Sequence, residues 1–286
     1  MTLPILFAFG AMLGWGIGDF LIQRTVRKIG AVGTLLWITL FSSLALLPFV
    51  FNDISSLTSR QIINLVILGI AGFASGFVHM KALRVGKLSV VEIILSVELP
   101  LTILLGIIFF AERLNLMQVI LIIILFIGII LVSVDFTKIS KKDFLEKGSL
   151  LALLSSALVA LVNFLTATQA KEISPIMALW LPWLACGLFS GGYIISREKL
   201  SPFLKTCRIN WKLILAMVIV DTAAWVFYVF AVAEKELSII VAITESFVVI
   251  ALILGVVFNK EKVNKIQYFG AGLAIACSLL IGLISK

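Results

Sequence analysis

Histidine occurs once in this chain of 286 residues, at position 79, and cysteine three times. A single histidine excludes paired-imidazole chemistry, and metal-assisted chemistry would have to rest on carboxylates alone. No Cys–His or Ser–His pairing and no cluster of metal ligands is legible. Cys186, Cys207 and Cys277 stand far apart without metal spacing, so neither a disulfide framework nor a cofactor is expected. Charge is scarce too. Charged residues make up 13% of the chain, about half the quarter carried by soluble domains. Low-complexity tracts are missing, as are linkers long enough to hold a soluble domain. The opening MTLPILFAFG lacks the positive n-region of a cleavable leader and is expected to be a first span.

Hydrophobic residues, by contrast, make up 62% of the chain. They fall in ten long runs: Leu3–Gln23, Ala31–Phe51, Ile62–Leu83, Ser89–Phe110, Leu116–Val134, Gly148–Ala170, Pro175–Ser196, Lys212–Ala233, Ser238–Phe258 and Ile266–Ile284. Each can cross roughly 30 Å of hydrocarbon. None alternates as barrel strands do, so the backbone must be helical. The expected fold is an all-α membrane protein of ten transmembrane helices, spans 1 to 10. The net charge of +8 lies in short gaps between spans, which fits membrane orientation rather than nucleic acid. A location in the cell membrane, multi-pass, follows.

The chain repeats itself. Ser89–Gln118 reads SVVEIILSVELPLTILLGIIFFAERLNLMQ, and Ser238–Gln267 reads SIIVAITESFVVIALILGVVFNKEKVNKIQ. Apolar helices match easily, but both spans are followed by E-[RK]-x-N-x-x-Q: Glu112 to Gln118 and Glu261 to Gln267. Two five-helix repeats are expected, 1–134 and 148–286, with a linker at 135–147. An odd number of helices inserts the second half upside down, and such inverted repeats place a site near the midplane where they meet.

The layout resembles the drug/metabolite transporter superfamily, in particular its ten-helix EamA-like members. Trp15-Gly16, AERLNLMQ at Ala111–Gln118 and NKEKVNKIQYFG at Asn259–Gly270 carry the resemblance. The family usually has Gly-Glu after spans 4 and 9, where this chain has Ala111-Glu112 and Lys260-Glu261. The resemblance implies a secondary transporter, often an exporter of amino acids, metabolites or amphiphilic amines. It also implies cytoplasmic termini. The charge bias points the other way, because most of the 23 lysines and arginines flank the gaps after odd-numbered spans.

Acids within the spans are the candidate functional groups, since an ionisable side chain there costs roughly 3 kcal/mol and faces a cavity or a partner. Glu98 is near the middle of span 4, Asp221 of span 8, and Glu245 is two turns into span 9. Glu92 and Asp19 lie nearer the ends of spans 4 and 1. Trp15 precedes Asp19 by one turn, and Trp225 and Tyr228 follow Asp221 on its face, so aromatic rings are placed to meet a cation beside the acids. The inner parts of the spans hold no lysine or arginine. An acid without a fixed cation holds its proton or takes a cation from outside. The expectation is a proton-linked transporter of a small cationic or zwitterionic metabolite, with proton and substrate exchanging at the acids. The substrate and lipid are the expected partners, and the chain is a monomer or homodimer. A lipid-acting intramembrane enzyme and a passive channel are the competing readings. Asn163, Thr166 and Gln169 are further candidates to line the cavity, and His79 for proton traffic. Trp37, Trp180 and Trp183 are expected in packing, and Pro100 and Pro182 as kinks. The glycines of GAMLGWGIGDF, Gly10–Phe20, are expected at helix contacts.

Overall fold

The computed structural model describes residues 1–85, 91, 94–133, 147–197, 200–260 and 263–285. In hydrocarbon every backbone polar group must be satisfied inside its own segment, and the apolar runs accordingly fold as helices. Spans 1 to 3 become α1 (Leu3–Ile29), α2 (Ala31–Val50) and α3 (Ser59–Val85). Span 4 is described as α4 (Glu98–Phe109) and span 5 as α5 (Leu116–Ser133). The second half contributes α6 (Lys147–Glu172), α7 (Met177–Arg197), α8 (Leu200–Ile209), α9 (Trp211–Glu234), α10 (Leu237–Thr244), α11 (Phe247–Asn259) and α12 (Lys265–Ile284). Among the described residues nine helical stretches are long and apolar enough to span a membrane, with α10 and α11 forming one of them. The shorter α4 is apolar as well. The outer part of span 4, with Glu92, lies outside the described residues, as does the expected linker up to Lys147.

Two features depart from uninterrupted spans. The gap after span 7 contains α8, an amphipathic helix that buries Phe203 and Cys207 and exposes Leu200, Leu204 and Lys205. The indole N–H of Trp37 donates to the Cys207 sulfur at 3.0 Å, tying α8 to α2. Spans 4 and 9 are also broken, at Ser96–Val97 and at Glu245–Ser246, which are matching positions of the repeated stretch. At each break the backbone closes short turns: Val97 donates to Ile94 O and Leu99 to Ser96 O, while Ser246 donates to Ile243 O and Val249 to Ser246 O. Pro100 lies just after the first break and has no N–H to give Ser96. Pro182, expected to kink span 7, leaves α7 as one helix.

The pairing of helices is reciprocal. α1 packs on α9 and α3 on α6; α1 also meets α11, and α6 meets α4. α2 packs on α7, α5 on α12 and α4 on α10. The glycines of the first span serve these approaches. A methyl on Gly14 would fall 2.7 Å from the Ala224 Cβ on α9, and one on Gly16 would collide with the Ile250 side chain on α11. The most buried element is α10, every residue of which is interior. Large apolar side chains such as Phe49, Leu116, Ile195 and Phe269 point outward, where the expected solvent is lipid.

Candidate functional site: an acidic and aromatic centre

The two breaks position the carboxylates. Glu98 is the first residue of α4, and Glu245 lies in the turn between α10 and α11. A helix N-terminus carries the positive end of its dipole, so each break offers a favourable place for negative charge. Glu98 accepts a hydrogen bond from the Asn163 side-chain amide on α6 at 2.9 Å. The charges of Glu245 and Asp19 act on Glu98, and that of Asp19 acts on both Glu245 and Asp221. Four acids from α1, α4, α9 and the α10–α11 turn are thereby gathered in one neighbourhood. Asp221 is 4% exposed, whereas Glu98, Glu245 and Asp19 are half-buried. Among the described residues no lysine or arginine pairs with Glu98, Asp221 or Glu245.

Aromatic rings pack together on two of the same helices, α1 and α9. Trp15 meets Trp225 edge-on with centroids 5.0 Å apart and Tyr228 at 5.2 Å, and Trp225 meets Tyr228 edge-on at 5.6 Å. Trp183, expected only in packing, adds a perpendicular contact to Trp225 at 6.3 Å. Tyr228 is fully buried, and its hydroxyl has no hydrogen-bond partner among the described residues. The charges of Glu98 and Glu245 reach it. Carboxylates beside ring faces attract a cation, and a phenol without a partner is a free donor or acceptor for a guest.

Trp15, Asp19, Glu98, Asp221, Trp225, Tyr228 and Glu245 are thus brought together, and Glu92 is outside the described residues. Asn163 joins them through its bond to Glu98. His79 is half-buried on α3, which packs chiefly on α6 and α7. Thr166 and Gln169 are buried on α6, and the Gln169 side-chain carbonyl oxygen lacks a partner among the described residues.

One working residue was visible in the repeated signature without its role being legible. Glu112 follows α4 and caps α10: its carboxylate accepts from the backbone N–H groups of Leu237 and Ser238 and from the Ser238 hydroxyl. These are orphan donors of a helix N-terminus, satisfied here from the other half of the chain. A methyl on Gly106 would fall 2.6 Å from the Glu112 carboxylate, so glycine is what leaves room for the clamp. The rest of the signature starts the next helix. Asn115 and Gln118 exchange capping bonds of 2.9 Å each way at α5, and Asn264 and Gln267 do so at 3.1 and 2.9 Å at α12. Each glutamine amide then reaches the far end of the opposite helix: Gln118 donates to the Ser285 hydroxyl and Gln267 to the Val132 carbonyl, both at 3.0 Å.

So many helices long and apolar enough to cross a membrane define a multi-pass membrane protein. The EamA-like transporter family model matches residues 2–134 and 146–283. The chain belongs to that family, and so it is a membrane transporter. No curated protein matches it. Among solved structures, one described as "Crystal structure of protein" superposes with a TM-score of 0.74 at 14% identity, over 99% of this chain and 98% of its own. That likeness establishes the fold alone.

Proposed function

We propose that the chain is a proton-coupled secondary transporter, working as an exporter, of a small cationic or zwitterionic metabolite such as an amino acid or amine. It works by alternating access around Asp19, Glu98, Asp221 and Glu245. The observation that carries this reading is the convergence of those acids, with no lysine or arginine among the described residues paired to Glu98, Asp221 or Glu245. Negative groups left in hydrocarbon without a partner are costly unless they exchange protons or cations. Trp15, Trp225 and Tyr228 supply ring faces for the ammonium, and Glu98 and Glu245 are half-buried rather than sealed off. Glu92, at its place in span 4, is assigned to the mouth of the same path.

The two halves, 1–134 and 148–286, are read as inverted repeats joined by a linker at 135–147. Support comes from the matched family segments, the reciprocal helix pairing, the breaks at equivalent positions and the mirrored Asn–Gln caps. The protein is assigned to the cell membrane. Proteoliposomes test the mechanism. A pH gradient accelerates substrate movement, and Glu98→Gln and Asp221→Asn lower the gradient-driven rate by about tenfold or more, a loss of ~1.4 kcal/mol or greater. Transport that ignores the gradient, with unchanged rates in both variants, overturns the proposal.

A further inference from the structure

Two apolar grooves face outward, and they occupy equivalent places in the two halves. One, between α4 and α5, is lined by residues including Ile107, Leu114, Ile122, Ile123 and Phe126 and has a volume of about 240 Å³. The other, between α11 and α12, includes Val256, Tyr268, Ala271, Gly272 and Ile275 and measures about 560 Å³. In the repeated alignment Ala271 and Gly272 stand where the first groove has Ile122 and Ile123. That loss of side chain is why the second groove is deeper, and a methyl on Gly272 would meet nothing within 4 Å.

Among the described residues the mouths differ in charge as well as size. Val257 and Tyr268 line the wide groove at the α11–α12 turn, and Lys260 and Lys265, each three residues away along the chain, are exposed there. Tyr268 is 56% exposed, as expected of an aromatic at a headgroup boundary. The narrow groove ends instead at Leu114, between Arg113 and Asn115, with the Glu112 carboxylate close by.

We propose that the α11–α12 groove is a binding site for an anionic phospholipid, with an acyl chain lying against Ala271 and Gly272 and the phosphate held by Lys260 and Lys265. Basic side chains at a charged leaflet bind anionic headgroups at about 1 kcal/mol each, and the apolar groove supplies the rest. The site does not depend on what the protein transports.

Native mass spectrometry of the purified chain, incubated with equal amounts of phosphatidylglycerol and phosphatidylcholine of the same acyl composition, tests this. The unaltered protein retains phosphatidylglycerol in preference. Lys260→Ala with Lys265→Ala lowers that retention about fivefold per lysine and leaves phosphatidylcholine unchanged. Gly272→Ile, which copies the other half, lowers binding of both lipids, and Arg113→Ala lowers neither. Ala271→Ile fills the same groove and carries the test if Gly272→Ile fails to fold. Equal retention of the two lipids overturns the proposal, as does retention untouched by the lysine pair. A groove-filling variant that converts a dimer to a monomer overturns it too, because the groove then belongs to a second copy.

Discussion

Span 4 and span 9 break at the same place by different local means. In span 4, Pro100 stands at the third position of α4 and cannot bond back to Ser96. In span 9 the equivalent residue is Val249, whose N–H does bond to Ser246 O at 3.0 Å. The short turn forms in both. Proline therefore accompanies the break without being required for it, and the bend is imposed by what surrounds it: α1 packs against α10 and α11, and α4 against α10. A shared geometry with unshared local sequence places the cause in the tertiary packing, and it puts a carboxylate at the bend in each half.

The exits of the two broken spans offer ways to sharpen the comparison. A large effect is expected at the clamp. Glu112→Ala strips one acceptor from three donors at the start of α10, and donors left unsatisfied inside a protein cost about 1–3 kcal/mol. A loss of about 2–3 kcal/mol in unfolding free energy in micelles is expected, with Glu112→Gln intermediate. An unchanged melting curve for Glu112→Ala would mean the clamp holds nothing.

Next comes Val249→Pro, which gives span 9 the proline of span 4. Its cost is expected near 1 kcal/mol, that of one hydrogen bond, because position 249 falls in the first turn of α11. Leu252→Pro, a turn further in, is expected to cost about 3 kcal/mol. Equal penalties for the two would show that span 9 is continuous at Glu245.

The smallest effect has the opposite sign. Ala111 and Lys260, equivalent positions again, have φ of 52° and 55°. They are the non-glycine residues in the left-handed region among those described, and side chains there cost roughly 1–2 kcal/mol. Ala111→Gly is expected to raise stability by about 0.5–1 kcal/mol, after the flexibility glycine adds to the unfolded chain. The Gly-Glu pair usual in the family has the same explanation. A loss of stability on this substitution would mean that Ala111 is held by contacts rather than strained by its backbone.

Much of the architecture could be read from the chain because hydrocarbon leaves few choices. A run such as Leu116–Val134 can only be a spanning helix, and an acid such as Asp221 inside one stands out. The breaks were hidden, since Glu245-Ser246 is no less helical in composition than its neighbours and hydropathy carries no dihedral information. α8 was hidden because its apolar and basic residues average out along a short gap. The gathering of Asp19 with Glu98 and Glu245 depends on which helices touch, and no single span encodes that. Glu112 is the instructive case. Repetition marked it, but its partners Leu237 and Ser238 lie in the other half and became visible only once α4 and α10 were placed side by side.

The α5–α12 pair has a consequence of its own. Its backbones nearly touch where Gly128 meets Gly270: a methyl on either would fall under 3 Å from the other's carbonyl oxygen, at 2.9 and 2.8 Å. Gln118 and Gln267 lash its two ends. Pinned in the middle and at both tips, the pair is a strut with no slack. Under the proposed alternating access, the rearrangement swings about that strut rather than bending it, which leaves the travel to other helices of the bundle.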